Sequence, residues 1–207
     1  NYIEFKMPSS QASLKAFHGE NLTLLSSEVS EILQTLLKKA KIKEKKIVLS
    51  LPDFSTFFTT ITLPPMTEEE VPQAVEFEAR HYIPLPLSEV TFDWQVTNKE
   101  ETVAGLKRKV LLVAIPNVVL QNYQKMASLC DLNIVGMEAE VFSFVRSSWP
   151  GGKYEFLPVC MIDFGWESTT VSIVDKRKLS ASFSFDISSI SLTKDLSLAL
   201  KISLEEA

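Results

Sequence analysis

The sequence predicts a mixed chain, α+β in one part and α/β in the rest, and three observations lead there. Amphipathic helical segments alternate with short β-branched or aromatic runs along most of its 207 residues. Residues 56–116 read as strand, helix, strand, strand, a compact α+β unit with an antiparallel sheet. Trp149-Pro150-Gly151-Gly152 is the clearest linker, and the main boundary is placed there.

Each element has a local reason. Residues 1–20 are mixed and Ser-rich, with weak structure expected. After Ser27, Val29, Ile32, Leu33, Leu36 and Leu37 recur at helical spacing. Lys38, Lys39, Lys41, Lys43, Lys45 and Lys46 follow; cations favour a helix C-terminus, and the remainder reads as a solvated turn. "KIVLSLP" (46–52) suits a buried strand, and "TFFTTITLP" (56–64) a second strand stopped by Pro64-Pro65. Thr67 and Glu70 have capping-box spacing. Pro72 conflicts with a helix starting at Thr67, so the helix is expected from nearer Glu69, with Pro84 and Pro86 closing it.

"EVTFDWQVT" alternates, with Val90, Phe92, Trp94 and Val96 on one face. Residues 98–109 read as a polar turn, and "KVLLVAIP" (109–116) as a fully buried strand. A helix follows from Asn117, then a short strand in "LNIVGMEAE" that turns into a helix through "VFSFVRSS". Beyond the linker come two strands, a third in "LSASFSFDI", a helix from Thr193, and the start of another in "SLEEA".

Composition narrows function. The chain is 45% hydrophobic and 23% charged, as in soluble globular proteins. A net charge of -5 gives no electrostatic case for nucleic acid. Cys130 and Cys160 fit neither a zinc site nor a disulfide framework, and both are expected as buried thiols in a reducing compartment. No apolar run approaches the roughly 20 residues of a spanning helix, and the N-terminus does not read as a signal peptide. A cytoplasmic location without direct membrane insertion is expected.

"MIDFGWESTTVSIV" (161–174) is the first site candidate. Gly165 permits close ligand approach, successive amides in such a turn can form an anion nest, and Asp163 could orient a water on a metal ion. An Asp-x-Gly turn is equally a common hairpin. His18 and His81 lack a second ligand at metal spacing. Glu68, Glu69 and Glu70 suit a helix start rather than an acid/base pair. Of Glu138 and Glu140, where strand enters helix, either could reach a cleft. The aromatic strands offer an edge on which a partner could add a peptide strand.

Several stretches together resemble the PilM family, the actin-like cytoplasmic component of type IV pilus assembly. "LPPMTEEEVPQAVEFEARHYIPLPLSEVTFDWQV" resembles that family's long signature: a Leu-Pro-x-Met turn, an acidic helix start, Glu78-Ala79, Tyr82-Ile83-Pro84, and an acidic strand residue at Asp93. "KVLLVAIPNVVLQNY", "NIVGMEAEVFSFVR" and "SLTKDLSLALKISLEEA" continue it, and "MIDFGWESTTVSIV" resembles the second phosphate loop. The resemblance implies actin-like, FtsA-type lobes: a first lobe from 1–55 and 117–149, a small subdomain inserted at 56–116, and the start of a second lobe at 150–207. It also implies ATP and Mg²⁺ as cofactors, with Asp163, Gly165, Ser168, Thr169 and Glu138 at the nucleotide and Asp163 toward the metal. The implied partners are the cytoplasmic tail of the membrane protein PilN and other pilus machinery.

The chain also departs from the family. No first phosphate hairpin is found in residues 1–27, and the region that contacts adenosine is missing, so an actin-like fold incomplete at both ends is expected. Trp166 stands where a small residue is usual, Glu167 adds a carboxylate, and Ser188-Ser189 replaces a Gly-Gly pair. The expected function is a non-catalytic scaffold that recruits the tail to the pilus machine, through a groove between first lobe and inserted unit, with nucleotide binding weak or lost. The alternatives are an ATP-binding actin-like ATPase or switch of the pilus machine, or a GspL-like or FtsA-like component.

Overall fold

The computed structural model describes residues 25–103, 105–166 and 168–207. His18, Glu167 and the expectations for residues 1–24 lie outside them. The described residues form two compact units, one up to residue 50 and from 116 to 138, the other from 51 to 115 and from 139 to 207. These cuts differ from the sequence division: residues 139–149 join the unit that holds 56–115 rather than the one that holds 117–138.

In the first unit, helix α1 (Leu25–Lys39) carries its apolar positions at helical spacing and ends in Lys38 and Lys39. Strand β1 (Lys46–Leu51) follows. It is less buried than expected, because Val48 is 61% exposed. Its only sheet partner among the described residues is β5 (Asn133–Ala139). Helix α3 packs on α1 (α3 spans Asn117–Leu129). The Gln34 amide donates to the Leu129 carbonyl at 2.9 Å, and the Cys130 thiol to the Ser30 carbonyl at 3.4 Å.

In the second unit, β2 (Phe57–Leu63), α2 (Val71–Tyr82), β3 (Val90–Thr102) and β4 (Gly105–Pro116) form the strand-helix-strand-strand module, with sheet order β2-β4-β3. β2 and β4 are antiparallel, with Ile61 opposite Val110. Pro72 lies in the first turn of α2, where its missing N–H is harmless. Ahead of it, both the Thr67 amide and hydroxyl donate to Glu70 Oε2, at 2.8 and 2.9 Å.

The polar turn expected at 98–109 is far shorter. β3 runs on to Thr102 and β4 begins at Gly105. Gly105 makes this possible with φ +118°, and a Cβ there would stand 2.9 Å from the Pro65 side chain.

β4 explains why "KVLLVAIP" is continuously apolar. Val110, Leu112 and Ala114 enter a core with Ile61, Leu63, Val71, Val75, Ala79 and Ile83. Leu111, one residue out of phase, enters a second core with Val141, Val145, Met161, Val174 and Leu179. A strand covered on both faces loses the alternation that marks a half-exposed one. The second core lies under α4 (Glu140–Ser148) and the antiparallel sheet β6 (Val159–Phe164), β7 (Thr169–Asp175) and β8 (Lys178–Phe185). β2 packs on β8, and the Thr60 hydroxyl donates to the Ser180 carbonyl at 2.9 Å.

Helix α5 (Ser189–Leu200) starts four residues before the expected Thr193. Ser188 caps it: the Ser191 amide donates to Ser188 Oγ at 3.4 Å, and the Ser188 amide to Ser191 Oγ at 2.9 Å. Serine in place of the Glu of a usual capping box hid this start. Cys160 is exposed, against the buried thiol expected, while Cys130 is buried as expected. The alternation of β6 turns Cys160 away from the core that its neighbour Met161 enters.

Candidate functional site

The hairpin at 161–174 forms as predicted, with Asp163 opposite Thr170 and Phe164 opposite Thr169. Its loop is tied to itself and to α5. The Gly165 amide donates to the Ser168 carbonyl at 3.0 Å. A Cβ on residue 165 would lie 2.9 Å from that same oxygen, so the turn requires glycine for close approach. The first amides of α5 are turned on the loop: Ser189 N–H donates to the Gly165 carbonyl at 3.0 Å, and Ile190 N–H to the Trp166 carbonyl at 3.2 Å. The buried Thr169 hydroxyl donates to the Ile187 carbonyl.

Behind the hairpin stands a group of carboxylates. Pro52 and a short 3-10 turn at Asp53–Ser55 bring Asp53 in, 6% exposed. Asp53 Oδ1 accepts from the Val141 amide at 3.1 Å, in the first turn of α4. Burial pushes the Asp53 carboxyl up from 3.8 to about 7; the Val141 and Thr170 hydrogen bonds lower it, and the nearby Glu140 and Asp163 charges raise it. Glu140 keeps solvent access, yet its pKa is also raised, first by partial burial and then by Asp163. The physics is desolvation and like charge acting together.

Of the predicted residues, Asp163, Gly165, Ser168 and Thr169 share one hairpin. Glu138 lies on β5 in the first unit, whereas the hairpin belongs to the second. Asp53 was not found by sequence reasoning; "LPDFS" offers only a Pro-Asp turn signal, with nothing to link it to a residue 110 positions later. Glu140 was visible as one of the pair at the helix start. Glu68 and Glu70 diverge as expected: Glu68 meets Lys99 at 2.9 Å and the buried Arg108 at 3.0 Å, while Glu70 holds Thr67. His81 pairs with the Phe77 ring, centroids 5.3 Å apart.

A polyphosphate needs amides and cations aimed at it. Here the Gly165, Ser189 and Ile190 amides are spent on carbonyls, and the carboxylates of Asp53, Glu140 and Asp163 stand nearby with the hydroxyls of Thr169 and Thr170. Among the described residues, no group of three His, Cys, Asp or Glu is placed to hold a metal ion. The Gly165, Ser189 and Ile190 amides, among the described residues, are therefore engaged with carbonyls rather than aimed at a phosphate. A separate groove of about 730 Å³ runs along α2, lined by Pro65, Met66, Ala74 and Phe77 together with Glu70 and the Glu76–Arg80 ion pair. Phe77 is 62% exposed in it.

Solved structures place the fold. The chain is similar to a PilM–PilN type IV pilus biogenesis complex at 21% identity and TM-score 0.73, over 86% of this chain and 53% of that one. It is also similar to the cytoplasmic domain of EpsL, an inner membrane component of the type II secretion system of Vibrio cholerae. There the identity is 13% and the TM-score 0.53, over 82% of this chain and 59% of that one. Together with the mixed α/β content, these define a partial actin-like fold. A family model then fixes the group: it matches residues 19–207, and the chain belongs to the type IV pilus assembly protein PilM family. The chain spans about half the length of the chain that it matches in that complex. No helix among the described residues is long and apolar enough to cross a membrane.

Proposed function

We propose that this chain is a cytoplasmic scaffold of type IV pilus assembly that captures the N-terminal cytoplasmic tail of a PilN-like inner-membrane protein. In this reading it sits at the inner membrane through that partner, contacts other pilus machinery, supports twitching motility, and performs no catalysis. The carrying observation is family membership over residues 19–207, joined to a fold shared with the PilM of a PilM–PilN complex. The division into an actin-like first lobe, the module at 56–116 and a second lobe after residue 149 belongs to the same proposal.

Weak or lost nucleotide binding has separate support in the hairpin, where the Gly165 amide and the Ser189 and Ile190 amides of α5 are spent on carbonyls near three carboxylates. The groove along α2 suits a short apolar segment: Ala74 and Phe77 offer apolar surface, and Glu70 and Arg80 can fix its direction. Calorimetric titration of a synthetic PilN-like tail tests this. Saturable binding that Phe77→Ser weakens about tenfold, the loss of one buried aromatic contact, is expected. Absence of binding by the folded chain refutes tail capture.

A further inference from the structure

Residues 145–157 and 175–178 meet at a corner of the second unit around Trp149. Five cations, Arg146, Lys153, Lys176, Arg177 and Lys178, stand there against two carboxylates, Glu155 and Asp175, in a chain of net charge -5. Val145, Arg146, Trp149, Gly151 and Arg177 line a cavity of about 380 Å³. Glu155 closes the corner: it accepts from the Trp149 indole at 3.2 Å and from Arg177 Nε and Nη2 at 2.7 and 3.1 Å. That engages two of the five N–H donors of Arg177. Lys176 and Arg177 occupy the left-handed region, φ +50° and +63°, in the exposed turn between β7 and β8.

Apolar side chains protrude beside these cations. Phe156 is 80% exposed, Leu157 52% and Tyr154 40%. They ride on a turn closed by its own backbone, Tyr154 N–H to the Gly151 carbonyl and Leu157 N–H to the Tyr154 carbonyl, each 3.2 Å. Lys153 Nζ lies 5.0 Å from the Tyr154 ring centre.

We propose that this corner is a contact site for an anionic bilayer surface. A lipid phosphodiester enters the cavity between Arg146 and Arg177, while Phe156, Leu157 and Tyr154 reach the headgroup boundary. Guanidinium groups match phosphate oxygens, and a convex apolar turn is satisfied by an interface that closes over it. An acidic peptide would match the cations but leave Phe156 and Leu157 in water. The contact lies on the surface and spans nothing, and it is independent of tail capture.

Co-flotation of the 207-residue chain with phosphatidylcholine vesicles, with and without phosphatidylglycerol, tests it. Binding only to the anionic vesicles, weakening with salt, is expected. Each cation near such a surface contributes roughly a factor of five, so Arg146→Gln with Arg177→Gln lowers affinity about 25-fold. Phe156→Ser with Leu157→Ser lowers it about tenfold or more. Two controls keep wild-type binding: Lys38→Gln with Lys39→Gln and Lys41→Gln, in the other basic run, and Phe183→Ser, on an apolar sheet face without cations. Unchanged urea midpoints show that the variants fold. Equal binding to neutral vesicles, equal loss in either control, binding of inorganic phosphate alone, or capture of an acidic peptide without vesicle binding each overturns the proposal.

Discussion

Replacing Asp53 by Asn should stabilise the protein at pH 8 and flatten its stability between pH 4 and 7. Asp53 is 6% exposed and its pKa is raised from 3.8 to about 7, with burial the largest cause. The sign follows from linkage. A native pKa above the unfolded one means that the folded state holds the proton more tightly. The contribution is therefore fully present below about pH 4 and lost as pH rises through about 7. A shift of about three units corresponds to about 4 kcal/mol at 1.36 kcal/mol per unit. Two effects oppose it: the amide of Val141 donates to Oδ1 at 3.1 Å, and a carboxylate is favoured at a helix N-terminus by about 1 kcal/mol. The hydrogen bond already acts within the net shift, and the helix-end effect of about 1 kcal/mol is smaller than the shift, so desolvation wins. Asparagine keeps an acceptor for Val141 and removes the buried charge. Urea unfolding from pH 4.5 to 8 is the assay. We expect Asp53→Asn to gain on the order of 2–4 kcal/mol at pH 8 and the wild type to lose stability with rising pH in that window. A destabilised Asn variant with the wild-type pH slope would mean that Asp53 is an ionised helix cap, and would refute the reasoning.

Three further outcomes follow from local geometry. Gly165→Ala puts a Cβ 2.9 Å from the Ser168 carbonyl, which is backbone and cannot turn aside; a loss of about 1–2 kcal/mol is expected by thermal unfolding. Ser188→Ala removes the α5 cap and should lose about 1 kcal/mol, with Ser188→Asp restoring most of it; equal losses in both would deny capping. In the native state a maleimide should label Cys160 rapidly and Cys130 only after unfolding, as read by mass spectrometry.

The module at 56–116 was legible because its signals are local. Pro64-Pro65 ends a β-branched run, Thr67 and Glu70 mark a helix start, and Val90, Phe92, Trp94 and Val96 alternate. The true extent of β3 was not, because polar residues 98–102 sit on an extended strand whose side chains remain largely in water. The hairpin was legible as a hairpin, with Asp163, Gly165, Ser168 and Thr169 in one place. What its amides do was not, since Ser189 and Ile190 reach it from more than twenty residues away. Asp53 was invisible for the same reason: only the fold brings it to Val141 and Asp163.

The most direct measurement takes one preparation of the 207-residue chain and titrates it twice, with a PilN-like tail peptide and with a fluorescent ATP analogue plus Mg²⁺. Saturable tail binding with no micromolar nucleotide binding is expected. Micromolar binding of the ATP analogue without tail binding would contradict the scaffold reading.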